Sequence, residues 1–202
     1  EGVQAKSFAL AALQNLAEEP INRSSMWEDE CGAQIALVEA AKLAEPGESE
    51  MRSRAVGALM NLTVEAGNRE PMWNDEYGAR AALVDAALLG PTGGDEKSWT
   101  FAMTALWCLA MEPENRESMW EDAEGARAAI ITAANLKHDA PDSANSKARE
   151  KAIGALQYLT SHTTIKEFIW SDDGARGAII RAAKRADHAA SKTRLAGVGA
   201  LW

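Results

Sequence analysis

Four times along this sequence a small or hydrogen-bonding side chain stands four positions ahead of an ionisable one: Asn15 before Glu19, Asn61 before Glu65, Cys108 before Glu112 and Tyr158 before His162. Residues four apart share one side of a helix, so each pair marks a single strip. Extended backwards, the strips read Ser7-Ala11-Asn15-Glu19, Ser53-Gly57-Asn61-Glu65, Thr100-Thr104-Cys108-Glu112 and Glu150-Gly154-Tyr158-His162, with small groups in the middle and ionisable groups at one edge. An asparagine amide supplies both a donor and an acceptor, which suits it to the backbone of an extended peptide. The row of Glu19, Glu65 and Glu112 suits Lys or Arg from the same peptide. The competing reading, that these glutamates are a solvated helix end, fits the spacing equally well. Trp107, next to Cys108, adds an aromatic of the kind enriched in binding hot spots.

Other chemistries find less support. His138, His162 and His188 lie in dissimilar contexts, with no Gly-rich phosphate loop, zinc signature or paired nucleophile and base nearby. The expectation is a non-enzyme with no cofactor and no metal. A formal charge of -9, from 30 acidic and 21 basic residues, argues against nucleic acid and towards a basic protein or peptide partner. Acidic clusters at Glu28-Asp29-Glu30, Asp75-Glu76, Glu121-Asp122-Glu124 and Asp172-Asp173 lack the alternating spacing of a calcium loop. They stand just ahead of helical segments, where negative charge offsets the helix dipole. Arg80, Arg127 and Arg176 follow at a constant place, and the expectation is that they pair with these acids or with the next unit.

The elements that carry these residues repeat. The phrase NRSSMWEDECGAQIALVEAA from Asn22 returns as NREPMWNDEYGARAALVDAA from Asn68, as NRESMWEDAEGARAAIITAA from Asn115 and in weaker form from Ile165. Its tryptophans, Trp27, Trp73, Trp120 and Trp170, are 46, 47 and 50 residues apart. A period of that length indicates stacked helical units that bury their apolar surface against one another. In the second copy a short first helix over 68–73 tolerates Pro71 near its start, Gly78 breaks the chain, and a second helix runs over 79–89. The glycine-rich 90–94 forms a loop, with Pro46 and Pro141 in the equivalent loops. A third helix over 96–111 opens after Asp95 as N-cap and turns Phe101, Ala105, Leu106 and Leu109 inward. The Met-Trp and Ile-Trp pairs read as packing at the joints between units.

The third-helix phrase, ALAALQNL from Ala9, AVGALMNL from Ala55, AMTALWCL from Ala102 and AIGALQYL from Ala152, resembles that of the armadillo repeat family, the arrays of β-catenin and importin-alpha. Asn-Arg opening the first helix and Gly-Ala opening the second strengthen the resemblance, which covers essentially the whole chain. It implies an all-α, right-handed α-α superhelix, an armadillo-like solenoid of about four three-helix repeats with incomplete ends. One domain over 1–202 is expected: 1–20 as the third helix of a preceding unit, repeats at 21–66, 67–113 and 114–163, and a partial repeat at 164–202. It also implies a non-catalytic scaffold whose concave third-helix face takes an extended or helical segment. The alternative is a subunit of a larger assembly, joined through convex or end surfaces. These units are longer than usual. The Trp of the importin-type Trp-Asn ladder is replaced by Ala11, Gly57, Thr104 and Gly154, so recognition of nuclear-import signals is not implied.

Cys31 and Cys108, with no partner spacing, read as small packing residues in a reducing, intracellular setting, the cytoplasm being the simplest. No apolar run is long enough to span a membrane. The chain opens without an initiator methionine and begins and ends within third helices, so a piece of a longer protein is expected, with room for a removed targeting segment.

Overall fold

The computed structural model describes residues 2–28, 32–43, 45–90, 95–137, 143–184 and 199. Among them all regular structure is helical. Helix α1 (Gly2–Glu18) is a third helix, followed by a unit of α2 (Pro20–Trp27), α3 (Ala33–Ala41) and α4 (Ser49–Thr63). The next is α5 (Ala66–Trp73), α6 (Ala79–Leu88) and α7 (Glu96–Met111), and the third is α8 (Arg116–Glu121), α9 (Ala126–Ala134) and α10 (Ala144–Leu159). Helices α11 (Lys166–Ser171) and α12 (Asp173–Lys184) begin a fourth. The three-helix reading therefore holds in the three units whose helices are all described. The chain groups into two compact units, Glu1–Ala105 and Leu106–Trp202, with the boundary inside α7. Residues 91–94, Cys31, Pro141, Trp202 and nearly all of the last third helix lie outside the described residues. No described helix is long and apolar enough to cross a membrane.

Two local expectations change. Pro46 opens a 3-10 turn, Pro46–Glu48, which leads directly into α4. Pro71 stands inside α5, because that helix begins at Ala66. Lacking an N–H, it leaves the carbonyl four residues back, on Gly67, without its usual donor.

Packing follows the repeat. In the first unit α4 lies against α1 and α3, while α2 meets α5 and α3 meets α6. In the second, α10 lies against α9, which also meets α12. The apolar stripes meet in these contacts: Leu37, Leu59, Leu62, Leu83, Leu106, Leu109, Ile130 and Leu159 are each wholly buried. Gly32 and Gly78 adopt φ of 91° and 96°, a left-handed turn that a side chain would strain, and each releases the chain into a second helix. Met72 and Trp73 are buried, as are Met119 and Trp120, and Met26 and Trp27 nearly so. An indole removed from water takes roughly 150–250 Å² with it, about 4–6 kcal/mol gross at about 25 cal/mol per Å². Trp170 breaks the series at 55% exposed.

The repeated Asn-Arg clamps the end of the helix before it. Asn22, Asn68 and Asn115 donate through Nδ2 to the carbonyls of Leu16, Leu62 and Leu109 at 3.0, 3.1 and 3.1 Å. The arginine that follows donates through Nε to Ala17, Thr63 and Ala110 at 3.1, 3.1 and 3.0 Å. Its Nη2 reaches Glu18, Val64 and Met111 at 2.8, 3.1 and 2.8 Å. The clamp thus brings a side-chain donor to three carbonyls of the last turn at each bend, where a helix leaves its carbonyls short of partners. The first of them, on Leu16, Leu62 or Leu109, also accepts the backbone N–H three residues on. In the weak copy Ile165-Lys166 carries no equivalent, and the hydroxyls of Thr160 and Ser161 bond the carbonyls of Gln157 and Tyr158 at 2.8 and 2.5 Å.

Asn68, 2% exposed, also donates to Arg23 O at 3.0 Å, tying α5 to α2. Asn68→Ala is expected to lower unfolding free energy by about 1–3 kcal/mol, the loss of two hydrogen bonds at about 0.5–1.5 kcal/mol each. Asn22→Ala, whose bond is exposed, is expected to cost less, and urea denaturation of both variants measures the difference. An equal, small loss at the two positions contradicts the clamp.

Candidate functional site

The clamp decides where the candidate residues end up. Because it closes the third helices at Glu18, Thr63 and Met111, Glu19, Glu65 and Glu112 fall beyond the helix, in the bend. His162 lies likewise beyond the end of α10 at Leu159, where the Thr160 and Ser161 hydroxyls take the clamp's place. Glu19 and Glu65 are the residues that start α2 and α5, in extended conformation with ψ of 119° and 123°, and Glu112 starts the 3-10 turn Pro113–Asn115 with ψ of 120°. The expectation of one continuous helical strip is corrected to a helix end followed by an elbow. In the first unit Asn15 and Glu19 are exposed and Asn61 and Glu65 half-buried, and the packing of α1 on α4 makes their strips neighbours. Among the described residues no hydrogen bond engages these four side chains.

In the second unit the pattern differs. Trp107, Glu112, Tyr158 and His162 are half-buried, whereas Cys108 is buried at 4% and offers a partner no surface, a correction to its placement on the open face. Trp107 rests against Gly154, where an added Cβ would lie 2.8 Å from its Nε1, and Lys151 Nζ sits 3.8 Å from the ring centroid. The guanidinium of Arg116 stands 6.0 Å from the Tyr158 ring. The Nδ1 of His162 is buried without a partner among the described residues. Glu112 shares a hydrogen bond with Glu114, which, ahead of a backbone hydrogen bond and the charge of Arg116, holds the Glu114 carboxyl below its ordinary range.

The two mid-strip glycines, Gly57 and Gly154, are seats for neighbouring side chains. An added Cβ on Gly57 would meet Gln14 at 2.6 Å and Phe101 at 3.1 Å, just as Gly154 receives Trp107. Phe101, expected inward, is only half-buried for this reason. Beside it opens a cleft of about 860 Å³, lined by Gln14, Glu50, Ser53, Arg54, Lys97 and Phe101 among others. Glu50 and Arg54 pair there at 2.6 Å, and the cleft carries charges of both signs. Of these residues only Ser53, on the second strip, and Phe101, expected inward, stand out in the sequence. A bulky side chain one register from a glycine in the next repeat is the signal that marks Gln14 and Phe101.

Asp95 proves to be the N-cap of α7, accepting Ser98 N–H at 3.0 Å and the Ser98 hydroxyl at 2.5 Å. Arg52 reaches the same carboxylate at 3.0 Å, and both partners are buried. The acids ahead of the second helices act as caps: Asp75, Asp122 and Asp172 accept the amides of Ala79, Ala126 and Ala175 at 2.8, 2.9 and 2.8 Å. Arg80, Arg127 and Arg176 lie over Trp73, Trp120 and Trp170, 5.1, 5.1 and 5.9 Å from the ring centroids. Their partners are thus chiefly the aromatic rings of their own repeats; among the described residues only Arg176 also pairs with an acid, Asp173. Each stack contributes about 0.5–1 kcal/mol where it is exposed.

Gly154→Ala tests the seat. Helix propensity alone favours alanine by about 0.5–1 kcal/mol, while overpacking against the indole costs about 1–3 kcal/mol. A net loss of stability in thermal unfolding is expected, converted to a gain when Trp107→Ala is added. A gain in the presence of Trp107 contradicts the contact.

Neither a protein-family profile nor a curated protein matches the chain. Solved structures do. The fold is similar to a designed armadillo repeat protein, YIII(Dq)4CqI, at TM-score 0.72 and 20% identity, over 96% of this chain and 74% of that one. It is similar at TM-score 0.74 and 19% identity to computationally designed armadillo repeat proteins for modular peptide recognition, over 96% and 74% of the two chains. A designed armadillo repeat protein in complex with the peptide (KR)4 matches at TM-score 0.73 and 19% identity, over 96% and 72%. With twelve helices in the described residues and no strand among them, the chain has the armadillo-like, all-α solenoid fold.

Proposed function

We propose that this chain is a non-catalytic protein-binding scaffold that takes an extended or helical, basic segment along its third-helix faces. The reading rests on one observation: in the first unit two asparagine amides and two glutamates lie on neighbouring helix ends with no internal partner among the described residues. Amides aligned this way suit the alternating donors and acceptors of a peptide backbone, and the glutamates suit its cationic side chains. In the second unit Trp107, Glu112, Tyr158 and His162 supply the contacts, and Cys108 packs beneath them. The solved complex of a similar fold with (KR)4 supports the choice of a basic ligand, as does the net charge of -9.

A second reading, a subunit held in a larger assembly, draws on a separate observation. On α1 Phe8 is 66% and Leu16 50% exposed, and Ile21 just beyond is 89% exposed, whereas Leu62, Leu109 and Leu159, the equivalents of Leu16, are wholly buried.

Asn61→Ala combined with Glu65→Lys separates the two. Capture of basic partners from a native extract should be lost in this variant, with helicity by circular dichroism unchanged. Capture by the parent protein should also weaken as salt is raised, because exposed charge pairs are screened. Capture that survives both the substitutions and high salt supports an apolar assembly contact instead.

A further inference from the structure

We infer that the cleft between α8 and α11 is a second docking site, separate from the third-helix faces, for the Arg or Lys side chain of a peptide with apolar neighbours. The cleft has a volume of about 470 Å³. Its walls bring the carboxylates of Glu117, Glu121 and Asp172 together with the ring of Phe168 and the side chain of Ile165. Phe168 is 61% exposed although it is a large apolar side chain.

Repeat equivalence shows that this joint is built differently from the others. Phe168 occupies the position held by Pro71 and Ser118, so the phenyl shelf belongs to this joint alone among the described copies. Ile165 occupies the position of Asn68, whose amide ties α5 to the Arg23 carbonyl of α2. An isoleucine side chain has no donor, so α11 has no such tie to α8. The sequence change that removes the clamp therefore stands beside the change that places an aromatic ring at the mouth.

The charge pattern selects the ligand. One lining residue is cationic, Arg127, and its guanidinium is held against Trp120 at 5.1 Å from the ring centroid. Asp172 spends one acceptor on the Ala175 amide, while Glu117 and Glu121 remain exposed. A cation lying on an aromatic ring and flanked by carboxylates gains both a quadrupole and a Coulomb attraction. An acidic or phosphorylated ligand meets repulsion from the same groups. The chain already uses this pairing internally, where Lys151 covers Trp107 and Arg80 covers Trp73. The apolar neighbours of the ligand cation have Phe168 to pack on, and Ile165, 2% exposed, lies beneath as the floor.

The test uses acetyl-Leu-Arg-Leu-Arg-amide titrated into the ¹⁵N-labelled protein. Amides of Ile165 through Asp172 and the Trp120 indole are expected to shift. Phe168→Ala with Glu121→Gln, both on the surface, should weaken this binding about 5- to 10-fold, the loss of one exposed cation–π contact and one charge. Salt at about 0.5 M should weaken it further. The Asn61→Ala, Glu65→Lys variant should leave these shifts intact, so failure here and failure of the third-helix reading are distinguishable. Shifts confined to α1 and α4, shifts at 165–172 that survive the Phe168 and Glu121 substitutions, or equal binding of acetyl-Leu-Glu-Leu-Glu-amide would each overturn the proposal.

Discussion

A helix that stops must find partners for the carbonyls of its last turn, and here an Asn-Arg pair from the next helix supplies them. The arrangement uses one amide and one guanidinium to close three carbonyls, and it does so at the ends of α1, α4 and α7 alike. Because a guanidinium presents its donors in a rigid fork, adjacent carbonyls at a helix end are a natural target. The clamp fixes both the length of each third helix and the direction in which the chain leaves it. The glutamates assigned to the candidate binding face, Glu19, Glu65 and Glu112, stand within that bend, so their position depends on the clamp more than on helix periodicity.

A second constraint acts between helices. Glycines at 57 and 154 let side chains of adjacent third helices fill the space that a methyl group would occupy. Each seat admits a different group, Gln14 and Phe101 at one and Trp107 at the other, so the same backbone repeat carries different surfaces. The Trp-Arg stacks make a comparable variation on the first helices. Trp73 and Trp120 are buried with an arginine over each, while Trp170 keeps its arginine and is exposed. Local chemistry is retained while burial depends on which neighbours are present.

What was legible in the sequence follows from the range of the interaction. The three helices per repeat, the buried Met-Trp pairs, the cap at Asp95 and the placing of acids ahead of the second helices follow from periodicity, capping and helix-dipole rules. The role of Asn-Arg was hidden because its acceptors lie five and six residues back around a bend. Nearness in sequence points Arg80 and Arg127 to the acids or to the next unit, whereas seven residues and a turn bring each over its own indole. Cys108 was placed on the open face by counting fours along a helix, and the burial of α7 on its neighbours removes it from solvent. The clefts required the most, since they need side chains of two or three repeats together.

The clamp can be read directly from the arginine side chains. In ¹⁵N spectra near neutral pH, the Nε–H signals of Arg23, Arg69 and Arg116 should persist and exchange slowly, since each is bonded to a helix-end carbonyl. Arg176, which bonds Trp170 O and Asp173 through its terminal nitrogens, serves as the reference. Slow exchange at the three clamp arginines and fast exchange at Arg176 is the predicted result. Exchange as fast at Arg69 and Arg116 as at Arg176 would mean that the bends are held some other way, and the placement of the binding face would fall with the clamp.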